Sequence, residues 1–494
     1  MYSKLDQLKS SIYDINALHA AISIMDWDQQ TLMPKGGATA RAEHIGILSR
    51  MAHQLETNDE IGKLIEECQS EANDIESKAI VRVCKRNYDH ATKLPTLLVE
   101  RKSKLSAQAH EEWVSARKAN NFKAFAPTLT EMFEIAREEA ELFGYKDHIY
   151  DALFDLYEEG ATHAQAKEMF DTIKGPLSEL VKEISAKPEP DDSALYGSWP
   201  ENDQREFTLM LIDSIGFDLN RGRQDTAPHP FCTGWSIGDV RLTTRFKDYL
   251  PSSIFGSLHE AGHGMYEQGS PMKWDRLPIA GGVSLGVHES QSRTWENIVG
   301  RSKAFWTYFL PKLHQKFPAT KKYGINEFLC AVNKVKPSLI RVEADEVTYN
   351  LHVIVRFELE AAILTGQLRV KDLPEAWNEK YREYLGVVPD NDANGCLQDV
   401  HWSMGSIGYF PTYSMGNLLS YQIWGKLQSD IPDVDHQISE GKFEGVLCWL
   451  KENIYSKGSL YTPSELILQV TGKPIGSKDY LDGLTAKYRD LYSM

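Results

Sequence analysis

Apolar residues return every three or four positions along most of this 494-residue chain, and that regularity points to a large helical fold. The stretch 5–25 sets Leu5, Leu8, Ile12, Ile15, Leu18 and Ile22 on one stripe. The stretch 122–144 repeats the pattern and ends on Gly144, a residue suited to a helix stop. At 161–186 a Thr162–Gln165 capping box precedes Ala166, Met169, Phe170, Ile173 and Leu177, with Pro176 placed to kink or divide the helix. Similar periodicity runs over 76–120, 290–316, 340–366 and 416–427. Strand signals are few. In 238–247, Val240, Leu242 and Thr244 alternate with Arg241, Thr243 and Arg245, which predicts a short hairpin or edge strand; 281–287 is a second candidate extended piece. Segments 187–204, 218–230 and 386–395 are rich in Pro, Gly and Asp and read as breaks, none long or biased enough for a disordered linker. The expected architecture is mainly α, a single helical domain over 1–494 with a little β structure.

Charge excludes one class of partner. With 54 Lys+Arg against 70 Asp+Glu the net charge is −16, which repels phosphate backbones, so no nucleic-acid partner is expected. The six cysteines lie far apart, at 68, 84, 232, 330, 396 and 448, in no disulfide or zinc-knuckle pattern, and free thiols fit a reducing compartment. The first 20 residues interleave charges with apolar positions, unlike a signal peptide. No run approaches the roughly 20 apolar residues that cross a bilayer. The expectation is a cytoplasmic protein with no membrane partner.

The chemistry is announced by His259-Glu260-Ala261-Gly262-His263. Histidines four apart project from one face of a helix, so both imidazoles can reach one Zn²⁺. Glu260 follows the first ligand and lies to its side, placed to take a proton from a water that the metal polarises. Chance would produce such a pattern only about 0.03–0.04 times in a chain of this composition. The neighbours Ile254, Phe255, Leu258, Ala261, Gly262 and Met265 are apolar or small, and two histidines with a glutamate among them are costly to bury unless paired or metal-bound. A catalytic zinc site needs a third protein ligand and one open position. Downstream, 287–296 reads as the start of a second helix, and Glu289 follows His263 by 26 residues, enough chain to return alongside it. His288 is the rival ligand; adjacent helical residues point about 100° apart, so one of the two faces the metal, and Glu289 is preferred.

HEAGH at 259–263 followed by HESQ at 288–291 resembles the carboxypeptidase Taq family of metallocarboxypeptidases, peptidase family M32. His229-Pro230-Phe231, Asp239 with Arg241 and Thr243, Ile340-Arg341 with Ala344-Asp345, and Gly395 with Gln398-Asp399 and His401-Trp402 fit the same pattern in order, as does the Trp27–Pro34 stretch with Gly36-Gly37. The resemblance implies a gluzincin-type, mainly α-helical fold with a deep groove, shared distantly with thimet oligopeptidases and angiotensin-converting enzymes. It implies removal of single residues from the free C-terminus of peptides with broad specificity, and a homodimer. It makes His259, His263 and Glu289 the metal ligands and Glu260 the general base, with Zn²⁺ as cofactor and Co²⁺ as an alternative metal.

The remaining blocks carry chemistry consistent with this. A terminal carboxylate suits a guanidinium fork, and Arg341, within an apparently helical run, fits that task; a simple intrahelical pair with Asp345 is the bland alternative. An oxyanion needs donors besides the metal, and His401 with Tyr409 or Tyr413 are candidates, although such aromatics also serve as core. His229 precedes a proline and so sits in extended backbone, either contacting substrate or hydrogen-bonded structurally. Asp239 and Arg241, two apart on one strand face, bind substrate backbone or form a structural pair. Gln398 and Asp399 border the substrate or orient His401 or a ligand imidazole. Two other functions compete: a zinc oligopeptidase cutting internal bonds, and a non-enzymatic zinc-binding scaffold, which would have no use for Glu260.

Overall fold

Caps and breakers decide where the amphipathic stripes begin and end as helices. In the computed structural model, which describes residues 3–494, Lys4–Thr31 is one helix opened by a Ser3–Asp6 capping box. Phe122–Phe143 opens on the Asn121 side chain and stops at Gly144, whose φ of 81° is the left-handed region a glycine tolerates. His163–Ser185 has the expected Thr162–Gln165 box, but Pro176 does not divide it, since Ile173, Leu177, Leu180, Val181 and Ile184 are all buried and hold the helix through the missing bond. The 76–120 periodicity splits at Leu94-Pro95 into Ile75–Lys93 and Thr96–Ala119, because the residue before a proline avoids helical backbone.

Three sequence expectations need correction. The 340–366 run is helical only over Tyr349–Leu364; upstream lies a 3₁₀ turn, Arg341–Glu343, because the Asp345 carboxylate accepts the backbone N–H of Val347 and Thr348, both at 3.0 Å. Segment 281–287 is no strand: Ser284 caps a helix, Leu285–Arg293, by accepting from Val287 N–H. The supposed break 218–230 contains a strand.

That strand is β1, Gly222–Thr226, and with β2, Cys232–Ser236, and β3, Asp239–Thr244, it forms a sheet of order β1-β3-β2. The β2–β3 pair is the expected hairpin, antiparallel with Cys232 opposite Leu242, but β3 is the central strand, paired in parallel with β1 on its other side. Val240 and Leu242 are fully buried and form the surface on which the helix Leu250–Gln268 lies.

Apolar side chains gather in two large clusters. One joins helices of 98–184 to those of 349–385 and 478–491; the other surrounds the sheet and the helices of 201–214 and 303–332. The helix Pro411–Asp430 enters both, through Leu418 on one side and Leu419, Ile423, Trp424 and Leu427 on the other. The motif-bearing helices belong to the second cluster, through Ile254, Leu258, Ala261, Met265 and Val287. A smaller third cluster ties Leu8, Ile15 and Ile80 to Trp274 and Ile279.

Candidate metal centre

The HEAGH segment occupies the helix Leu250–Gln268, whose other residues are buried on most sides, so its polar groups converge where burial is incomplete. His259 and His263 face the same recess with Nε2 atoms 3.2 Å apart, and the rings meet edge to face. Glu289, on Leu285–Arg293, brings Oε2 to 3.6 Å from Nε2 of His259 and 3.4 Å from Nε2 of His263. Two donors each about 2.0–2.1 Å from one tetrahedral cation stand about 3.3–3.4 Å apart, so the three fit a zinc-sized ion. Among the described residues this is the one group of His, Cys, Asp or Glu side chains that converges in this way.

The two helices cross closely because Gly262 has no side chain: a Cβ there would stand 2.7 Å from Gln291 O and from Ser292 Cα. On the far side Gly416, in Pro411–Asp430, leaves room for Glu289; a Cβ there would lie 2.4 Å from Glu289 Cγ. Glu289 is thus confined on the side of Gly416.

A second layer orients the donors. Nδ1 of His259 donates to Glu296 Oε2 at 2.9 Å. Nδ1 of His263 meets Nδ1 of His288 at 2.6 Å, and Nε2 of His288 donates to Glu267 Oε1 at 2.7 Å. With each Nδ1 committed to these partners, both Nε2 atoms are left toward Glu289 Oε2. His288, the rival ligand in the sequence, is therefore the support of His263. Arg293 donates from Nε to Glu289 Oε1 at 2.7 Å and from Nη1 to Glu296 Oε2 at 3.1 Å. Glu296 reaches its position because the backbone changes from α to π-helical over Thr294–Val299, which rotates its side chain toward His259. Sequence reasoning missed Glu267, Glu296, Gly262 and Gly416; the 3.6-residue period gives no sign of a π turn.

The electrostatics follow from burial and these pairs. Burial pushes Glu260 up to about 7, against the pull of His259. Burial would also raise Glu289, but the Arg293 and His259 charges overcome it and hold that carboxyl well below the usual range. His259 is lowered by burial yet carried up to about 9 by Glu289 and Glu296, whereas burial takes His263 down to about 4.

His401 lies in the 3₁₀ turn His401–Met404, with Nε2 3.2 Å from the Tyr413 hydroxyl. Tyr409 packs edge-on against Tyr413, ring centroids 5.2 Å apart, and both hydroxyls sense the Glu289 charge. Burial, with Arg341 next, lowers His401 to about 3, so the ring is neutral at pH 7. Arg341 is buried, and its partner is Asp399 rather than Asp345: Nε and Nη2 donate to Asp399 Oδ1 at 3.1 and 2.9 Å. Its Nη1 donates to the Tyr349 hydroxyl at 2.9 Å, and its guanidinium lies 4.9 Å from the Tyr413 ring centre, while Arg293 stacks on the other partner ring, Tyr349, at 4.5 Å. Arg341, Tyr413, His401 and the donor set therefore form one connected surface.

Four other predicted residues are placed differently. Gln398 has both amide atoms engaged: Oε1 accepts from Arg341 N–H at 2.9 Å, and Nε2 donates to the carbonyls of Leu339 and Asn394. It pins backbone and has no group left for substrate. Asp239 and Arg241 pair with each other, 2.7 and 3.0 Å, and Arg241 stacks between Trp27 and Trp235 at 4.5 and 4.9 Å. That pair ties the first helix to the sheet. His229 is exposed in the loop after β1, where Arg245, Arg117 and Lys247 are the nearest charges, and no contact links it to the donor set. A cleft of about 920 Å³ between Ile75–Lys93 and the 143–162 segment is lined by compensated ion pairs such as Arg82–Glu159 and contains none of the predicted residues.

A family model described as carboxypeptidase Taq (M32) metallopeptidase matches residues 7–488. Thermostable carboxypeptidase 1 of Thermus thermophilus is 40% identical over 481 residues, covering 94% of each chain. Carboxypeptidase 1 of Bacillus subtilis is 37% identical over 478 residues, covering 96% of this chain and 95% of the relative. The crystal structure of M32 carboxypeptidase from Deinococcus radiodurans superposes with a TM-score of 0.97 at 36% identity, covering 99% of this chain and 100% of that one.

Proposed function

Since the chain belongs to the carboxypeptidase Taq (M32) metallopeptidases and is a metallocarboxypeptidase acting on peptides with a divalent metal, we propose that it holds zinc between His259, His263 and Glu289 and releases single C-terminal residues with broad specificity. The observation that carries this reading is the triangle of 3.2, 3.4 and 3.6 Å formed by two Nε2 atoms and one carboxylate oxygen. Cobalt would suit the same donors.

When bound, the metal supplies Lewis acidity, polarising the scissile carbonyl and acidifying the attacking water. Glu260 takes the proton of that water and passes it to the leaving amine, a task suited to a buried carboxyl that adjoins a donor and is not one of the converging three. The neutral His401 and the hydroxyls of Tyr413 and Tyr409 donate to the oxygen on which negative charge develops. Arg341 receives the substrate's terminal carboxylate: three of a guanidinium's five N–H bonds go to Asp399 and Tyr349, and two remain. A fixed anion site for the terminal carboxylate would confine cleavage to the last peptide bond.

We read residues 1–494 as one catalytic domain, supported by a helix that enters both core clusters and by the extent of the family match. We read the enzyme as a cytoplasmic homodimer; its six free cysteines support the compartment, and no described helix is long and apolar enough to cross a membrane. Mass spectrometry of a peptide digested by the zinc-loaded protein tests the activity: a ladder shortening one residue at a time from the C-terminus is expected, and internal fragments would refute exopeptidase action.

A further inference from the structure

Asp399 is shared by two buried guanidiniums. Its Oδ1 accepts from Arg341, and its Oδ2 accepts from Arg356 Nε at 2.7 Å and lies 2.6 Å from Arg356 Nη2. Arg356 belongs to Tyr349–Leu364 and is wholly inaccessible. Its Nη1 donates to His352 O at 2.8 Å and to the Tyr381 hydroxyl at 3.1 Å, and its plane stacks 4.4 Å from the Trp377 ring centre. No atom of it can meet a substrate.

The charges do not cancel. One carboxylate against two guanidiniums leaves one positive charge in excess. The neighbouring acids form no ion pair with either guanidinium: Glu360, one turn from Arg356, accepts from Trp402, Tyr150 and Gly408 N–H, and Asp345 accepts backbone amides. Burying a second guanidinium is expensive, and apolar residues of the same volume stabilise a core at least as well, so stability alone is a poor reason for Arg356. Without it, Arg341 and Asp399 would close into a neutral pair with little attraction left for an anion.

We propose that Arg356 is a positioning residue for substrate recognition: by compensating Asp399 from behind, it leaves the excess positive charge, and a fixed fork, on Arg341 for the terminal carboxylate. This rests on the reading of Arg341 given above. The depressed basicity of His401, to which both arginines contribute, agrees with an uncompensated positive field at this end of the site.

The test compares an N-blocked dipeptide with its C-terminal amide as substrates of the metal-loaded enzyme. Arg356→Met is expected to raise KM for the free acid roughly 10- to 100-fold, the size of one charge-assisted contact, while kcat changes little and the preference for acid over amide collapses. Arg356→Lys keeps the charge and should keep most of the preference. Arg356→Met combined with Asp399→Asn restores one uncompensated charge on Arg341 and should regain the preference lost in Arg356→Met alone. Should methionine at 356 not fold, Arg356→Gln makes the same test, since it keeps a donor to Asp399 without the charge. An unchanged KM for the acid in the neutral variant, a proportional loss of kcat on both substrates, or a double variant no better than the single one would each overturn the proposal. Arg341→Met separates the two levels. If it leaves the acid preference intact, the reading of Arg341 fails; if it abolishes a preference that Arg356→Met retains, the role of Arg356 alone fails.

Discussion

His259 and His263 present only Nε2 to the recess because each Nδ1 is already committed, one to Glu296 and the other to His288 and through it to Glu267. Such partners fix the ring and its tautomer, and their loss typically costs 10–100-fold in metal affinity. His288→Gln should therefore weaken zinc binding by roughly that factor in competition against a chelator; an affinity equal to wild type would show that His263 orients itself. Glu260 is the opposite case, a group beside the donors that is none of them. Glu260→Gln should retain metal in full and lose kcat by roughly 10³-fold or more, and a variant still turning over at the wild-type rate would assign the base elsewhere. The two histidines and Glu260 were legible in the sequence, since four-residue spacing is a statement about one helix face. Glu267 and Glu296 were not, since their roles depend on which side chains tertiary packing sets beside the rings.

At the scale of elements, the centre is a crossing of three helices at places without side chains. Gly262 lets Leu250–Gln268 touch the backbone of Leu285–Arg293, and Gly416 lets Pro411–Asp430 close over Glu289. Gly416→Ala inserts a methyl group where 2.4 Å is available, so the helices must separate or Glu289 must turn. The expected cost is about 1–3 kcal/mol of stability together with weakened zinc binding. Thermal unfolding with and without metal checks it, and an alanine variant with wild-type midpoint and affinity would show that the contact yields freely. The element errors made from the sequence have separate causes. The run 340–366 keeps an apolar period, yet Asp345 takes the amides that a continuous helix would need, and 281–287 is hydrophobic because it is buried, not because it pairs.

For the whole molecule, burying a carboxyl inside the first core makes stability depend on pH outside the metal centre. Glu360 is fully buried against Tyr150, Trp402 and Gly408, and burial pushes it up to about 7. A carboxyl whose pKa is raised on folding binds its proton more tightly in the native state. Its contribution is whole below the ordinary value near 4.5, declines as pH rises from there to about 7, and stays lost above that, an effect of ~3 kcal/mol. Glu360→Gln removes this dependence, so its stability relative to wild type should rise between pH 5 and pH 8 in urea unfolding. A difference that stays flat with pH would mean that Glu360 titrates normally.

By itself, the sequence determined a mainly helical chain, a pair of histidines on one helix face with an adjacent acid, and the segments that approach them, because helical period and short-range spacing are properties of local backbone geometry. Tertiary structure set Glu289, the acid already preferred from the sequence, beside the pair, and it alone decided that Arg341 answers to Asp399 and not Asp345, and that Gln398, Asp239 and Arg241 hold structure together. Those choices depend on which groups, dozens to hundreds of residues apart, share one low-dielectric recess, and local periodicity carries no record of such encounters.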